Sequence, residues 1–117
     1  MRIFVDCDDT LLLYNKEAEK NPYGYWYGVP YQINKKLIDA LIETSHWSEM
    51  PKIIIWSGGG EQYAKEILKM LNLPQYSCLS KDRTTFHLIQ EGDIVIDDDN
   101  LGGKRTHDPF QWNGEEL

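Results

Sequence analysis

Four short apolar runs constrain this chain more than any other feature: RIFVD at residues 2–6, KIIIW at 52–56, YSCL at 76–79 and DIVID at 93–97. The apolar residues in them are continuous rather than alternating. A strand of that kind must be covered on both faces, the condition of a strand inside a parallel sheet. Helical patterns separate the runs. Ile33, Leu37, Ile38, Leu41 and Ile42 recur at 3.6-residue spacing and predict a helix over 31–44, with Pro30 at its start. Ala64, Ile67, Leu68 and Leu71 predict a second over 61–72, closed by Asn72 and Pro74. Residues 82–91 read as a third, short helix, with Asp82 in its first turn and Gly92 at its stop.

Strand and helix thus alternate, which predicts an α/β fold: a three-layer sandwich with a mainly parallel central sheet and right-handed crossovers. Residues 1–117 are expected to form one domain, since a chain of this length supports a single core. Two segments stand outside the alternation. Residues 12–30, with NPYGYWYGVPY, are expected to make a flap with no regular element, and 101–117 an irregular tail.

Charge and cysteine usage narrow the function classes. A formal net charge of −7 repels phosphate backbones, so nucleic acid enters only as a candidate substrate. Two cysteines, Cys7 and Cys78, make neither a disulfide framework nor a CxxC metal pair, and both are expected in strands as buried thiols of a reducing compartment. No apolar stretch approaches the ~20 residues of a membrane span, and the N-terminus lacks a signal-peptide pattern, so a cytoplasmic protein without a membrane partner is expected. His46, His87 and His107 lack metal-ligand spacing, and Trp56 is expected in the core.

In open parallel sheets, ligands sit beyond the carboxyl ends of the strands. There this chain writes Asp6, Asp8, Asp9 and Thr10 after the first run and Ser57 with Gly58, Gly59 and Gly60 after the second. It writes Ser80 and Lys81 after the third, and Asp97, Asp98 and Asp99 after the fourth. If the first and fourth strands are neighbours, carboxylates converge. At ~4 Å and an effective dielectric near 20, a like-charge pair costs on the order of 4 kcal/mol, so such a cluster needs a cation or a proton. An all-oxygen site with room for water suits Mg²⁺. A hydroxyl, backbone N–H groups at a helix start and an ammonium suit phosphate oxygens. Together they describe a phosphoryl-transfer site.

These motifs resemble those of the haloacid dehalogenase (HAD) superfamily, mostly phosphatases. Its first motif, an apolar run and D-x-D-x-T-L, is matched by FVDCDDTL, with Asp6, Asp8, Thr10 and Leu11 in place. IIIWSGG matches the second at Ser57, Lys81 the third, and IVIDD the fourth at Asp97 and Asp98. All four occur in order over residues 2–98; Asp9 stands where many members carry Gly. The resemblance implies a HAD-like Rossmannoid fold and a Mg²⁺-dependent phosphatase that hydrolyses a phosphate monoester through an aspartyl-phosphate. It implies Asp6 as nucleophile and Asp8 as general acid and base. Asp6, Asp8 (through its backbone carbonyl), Asp98 and Asp97 would hold the metal. Ser57, Gly58 and Lys81 would bind the phosphoryl group, with Thr10 orienting the Asp6 loop.

Two other families share parts of this pattern. An EF-hand loop would have acids at Asp6, Asp8 and Glu17, but Leu11 stands where its glycine belongs. A phosphorylation receiver has its phosphorylated Asp mid-chain and its Lys last, whereas Lys81 here precedes the acid pair. A non-catalytic Mg²⁺-binding interaction protein of HAD-like fold remains the alternative, against which Asp6 and Asp8 argue together. About 20 residues separate Thr10 from the first predicted helix and 15 separate Lys81 from Asp97, too few for a cap domain. The resemblance is therefore to capless members with open sites. Their phosphorylated substrates are small esters, nucleotides, nucleic-acid ends or phosphoproteins. In the flap, Tyr23, Tyr25, Trp26, Tyr27 and Tyr31 offer rings that can stack on a base or sugar, or pack the flap onto the body. Lys104 and Arg105 can meet a polyanion. The pattern prescribes no oligomeric state.

Overall fold

The computed structural model describes residues 1–46 and 51–98. The four apolar runs form one parallel sheet: β1 (Arg2–Asp6), β5 (Lys52–Ser57), β6 (Ser77–Ser80) and β7 (Ile94–Ile96), in the order β6-β5-β1-β7. Between β1 and β5 lie β2 (Leu12–Leu13), α1 (Lys16–Lys20), β3 (Gly24–Trp26), β4 (Val29–Ile33) and α2 (Lys35–Thr44). Helix α3 (Glu61–Met70) joins β5 to β6.

Strand alternation sorts the apolar runs onto two faces. Ile3, Val5, Ile53, Ile55, Ile94 and Ile96 pack on Leu37, Ile38 and Leu41 of α2 and on Ala64, Ile67 and Leu68 of α3. Phe4, Ile54, Trp56 and Val95 make a smaller cluster on the other face, against Leu79, Phe86, Leu88 and Ile89. Trp56 is fully buried there, as expected, and among the described residues its indole N–H has no acceptor. At the amino edge, the Arg2 guanidinium meets Asp93 at 2.8 Å and also donates to the Leu88 carbonyl, tying β7 beside β1. Cys7 lies one residue past β1 rather than in a strand, and Cys78 lies within β6; both are buried free thiols.

Three further expectations need correction. Residues 12–30 are not irregular: β2, β4 and β3 form an antiparallel sheet, with α1 between β2 and β3. Tyr27 (φ 50°) and Gly28 (φ 76°) turn the β3–β4 hairpin with both residues at positive φ, the twist that suits a two-residue connection. The first long helix does not begin after Pro30. Pro30 and Ile33 belong to β4, and Asn34 caps α2, its side chain accepting the Leu37 N–H at 3.3 Å. The same Asn34 donates to the Thr10 carbonyl at 3.1 Å, so the cap also anchors the loop after β1. Residues 82–91 hold only one 3₁₀ turn, Phe86–Leu88. Asp82 turns its carboxylate onto the Thr84 N–H at 2.8 Å, and Thr85 donates to the Ser80 carbonyl at 2.8 Å; both bonds favour a turn over a helix.

No cap domain occurs in either gap among the described residues, and no helix there is long and apolar enough to cross a membrane. Asp99, His107, Lys104, Arg105 and the expected tail at 101–117 lie outside the described residues.

Candidate functional site

The carboxyl ends of β1, β5, β6 and β7 meet as the parallel register requires. Asp6 closes β1 beside Trp56, Ser57 pairs with Ser80, and Asp97 follows β7. Carboxylate oxygens of Asp6, Asp97 and Asp98 lie within 4.8 Å of one another. Asp6 and Asp97 are buried and Asp98 is exposed. The Lys81 ammonium sits between the buried pair, 2.9 Å from Asp6 Oδ1 and 3.0 Å from Asp97 Oδ2.

Three carboxylates are thus grouped around a site where one ammonium bridges two of them. Burial, and then the charge of Asp97, push the Asp6 carboxyl up to about 7, against the pull of Lys81. Burial acts to lower the Lys81 ammonium, but its hydrogen bonds to Asp6 and Asp97 outweigh that and raise it. Three carboxylates, two of them buried, with negative charge in excess, could hold a metal ion.

The loop after β1 holds Asp6 and Asp8 apart in role. The Cys7 carbonyl accepts the N–H groups of Thr10, Leu11 and Leu12 at 3.2, 2.8 and 3.1 Å, a tight turn. Asp9 passes through it at φ 60°, a conformation that Asp tolerates and Gly prefers, so its backbone has a task even though its carboxylate is exposed. The turn brings the buried Thr10 hydroxyl to 3.3 Å from Asp6 Oδ2. The Asp8 carboxylate lies outside the Asp6–Asp97–Asp98 group. It accepts the Tyr14 hydroxyl at 2.6 Å and the Tyr63 hydroxyl at 2.9 and 3.1 Å.

Ser57 and Lys81 are joined through the backbone, the Lys81 N–H donating to the Ser57 carbonyl at 2.8 Å. The Ser57 hydroxyl oxygen accepts the Gly59 N–H at 3.0 Å, and its own proton stays available to donate. Gly58 is exposed and runs past the Lys81 carbonyl. Gly60, at φ 107°, opens α3.

Sequence reasoning missed Tyr14 and Tyr63. Tyr63 had a legible signal, because it stands in the first turn of the helix after Ser57 and so at the same sheet edge. Of the flap rings, Tyr23, Tyr25 and Tyr27 are exposed and Trp26 is half-buried. Tyr31 is no stacking ring: it is buried, with its hydroxyl on the Met70 sulfur. A groove of about 820 Å³ along α3, between Lys65, Lys69 and Tyr76, holds none of the site residues.

The charge excess has a measurable consequence. Between about pH 4 and 7 the folded protein without cation keeps the Asp6 proton that the unfolded chain releases. This contribution to stability is present at low pH and is lost as pH rises through 7. Thermal melts without divalent cation are expected to drop by several degrees between pH 5 and 8, and the rise in Tm on adding Mg²⁺ to be larger at pH 8. A Mg²⁺ shift that is equal at both pH values would contradict competition between proton and cation at Asp6.

Fold and site define an α/β domain with an acidic, lysine-bridged cluster at the carboxyl edge of a parallel sheet. In comparisons with known proteins, no family model, no curated protein and no solved structure matches the chain.

Proposed function

We propose that this protein is a Mg²⁺-dependent phosphatase of the HAD type, a capless three-layer α/β domain that hydrolyses phosphate monoesters. The carrying observation is the Asp6 carboxylate, held at the end of β1 by Lys81 and Thr10 and grouped with Asp97 and Asp98. An Asp6 oxygen attacks phosphorus in line, the bond from phosphorus to the leaving oxygen breaks, and Asp8 gives that oxygen a proton. Asp8 then takes a proton from water. The water oxygen attacks phosphorus, the bond to Asp6 breaks, and inorganic phosphate leaves. Lys81, the Ser57 hydroxyl and the Gly58 backbone offset charge on the transferring group. Asp6, Asp97, Asp98 and the Asp8 carbonyl would hold Mg²⁺, which when bound supplies Lewis-acid charge to the phosphoryl oxygens.

The test is turnover of an aryl phosphate with and without Mg²⁺. Release of phosphate that requires Mg²⁺ and disappears with a chelator is the expected result. A protein that binds Mg²⁺, seen as a rise in Tm, yet releases no phosphate from aryl, nucleotide, sugar or peptide esters belongs to the alternative, a cation-binding interaction protein.

A further inference from the structure

A chain of hydrogen bonds leads from the flap sheet to Asp8. The Trp26 indole N–H donates to the Tyr63 hydroxyl at 3.0 Å, and the Tyr63 hydroxyl donates to both Asp8 oxygens. Tyr14, just past β2, donates to Asp8 Oδ1 at 2.6 Å, the same oxygen that Tyr63 meets at 2.9 Å. Every polar atom in this chain is a side-chain atom, and the residues come from four separate parts of the chain.

Packing keeps Tyr63 in place. Its ring stacks on Tyr27, with centroids 6.2 Å apart and planes at 24°, and lies 6.0 Å from Trp26. Trp26 in turn meets Tyr27 edge-on at 4.8 Å. Gly59 leaves room for the ring: a Cβ there would lie 3.0 Å from Tyr63 Cγ and Cδ1 and press on it. At the outer end, the Tyr27 hydroxyl donates to Glu66 at 3.2 Å. The hairpin tip is therefore joined through Tyr63 to the group that handles the leaving oxygen.

We infer that Tyr63 and Tyr14 are positioning residues that set the direction of the Asp8 carboxylate, and that Trp26 transmits the seating of the flap to it through Tyr63. The inference rests on the phosphatase reading for its kinetic consequence, but the clamp itself can be observed without turnover. A side chain fixed by two donors presents its oxygen to the leaving group at one angle, and a positioned acid is what separates fast from slow proton transfer.

Tyr63→Phe keeps the ring and its stacking and removes only the hydroxyl. In Mg²⁺-saturated protein it is expected to lower kcat for an aryl phosphate by roughly 10-fold, the size of one hydrogen bond to a charged group, with KM unchanged. In an Asp8→Asn background the same change is expected to cost nothing further, since Tyr63 acts only through Asp8. Unchanged kcat in Tyr63→Phe, or an equal loss in the Asp8→Asn background, overturns the inference. The second measurement needs no activity: NMR of ¹³C-tyrosine-labelled protein, with and without Asp8→Asn. The Cζ resonances of Tyr14 and Tyr63 are expected to move while that of the exposed Tyr25 stays. If they do not move, the clamp is absent; if they move in a protein without phosphatase activity, the clamp stands and the phosphatase reading falls.

Discussion

Asp6→Asn is expected to abolish phosphate release, by a factor on the order of 10⁴ or more, the scale on which enzymes lose their nucleophile. Asparagine has nearly the shape of aspartate, so the loop around the Cys7 carbonyl and the Thr10 contact can persist. Its amide is a poor nucleophile and forms no acyl-phosphate. Stability is expected to move the other way. Ionised Asp6 is buried beside Asp97, and both share one ammonium. A neutral amide removes that buried charge and leaves Lys81 to Asp97 alone. Without cation at pH 8, the variant is therefore expected to melt higher than the parent. Its Tm is expected to change less between pH 5 and 8, because the group that loses its proton over that range is gone. Retained turnover in Asp6→Asn would remove it as the nucleophile. A lower Tm at pH 8 would show that the charge excess is not what limits the folded state.

How far the sequence reaches is clear from particular residues. Continuous apolar runs name strands covered on both faces, and Ile53, Ile54, Ile55 and Trp56 are buried on alternating sides. The two aspartate-ended runs became neighbours because β1 pairs with both β5 and β7, and a parallel register puts every carboxyl end on one edge. Local patterns were less reliable where periods overlap. Ile33 extends the 3.6-residue spacing of α2 by coincidence, but Asn34 interrupts it with a cap that the spacing cannot show. The flap hairpin was hidden because its strands are only three and five residues long and its turn places a tyrosine at positive φ, a position usually signalled by Asn or Gly. The Asp8 clamp was hidden for another reason. The helix after Ser57 places Tyr63 at the right edge of the sheet, but which group its hydroxyl meets there depends on how its ring packs against Trp26 and Tyr27, which no spacing shows.

Lys81→Met tests the same cluster from its positive side. Methionine matches the length of the lysine stem but carries no charge. Two buried carboxylates would then face each other across an apolar side chain, with side-chain exposures of 7% for Asp6 and 0% for Asp97. Removing one partner from a buried ion pair typically costs about 3–5 kcal/mol, because the remaining charge is left without compensation. For this variant without cation, most of that loss is expected at pH 8. At pH 5 a proton on Asp6 replaces the missing ammonium, so urea melts should show the parent and variant closer together in acid. Adding Asp97→Asn to Lys81→Met is expected to recover stability, since it removes the second uncompensated charge, but not activity. The proposed activity needs a cation at that position for a different purpose. On that reading, charge built up on the transferring phosphoryl group would no longer be offset, and a single such donor is worth roughly 10²–10³ in kcat. Stability and turnover should therefore separate in the double variant. A Lys81→Met protein as stable as the parent at pH 8 would mean that the ammonium does not compensate the two carboxylates. The metal cation would then be the principal counter-charge at this edge of the sheet.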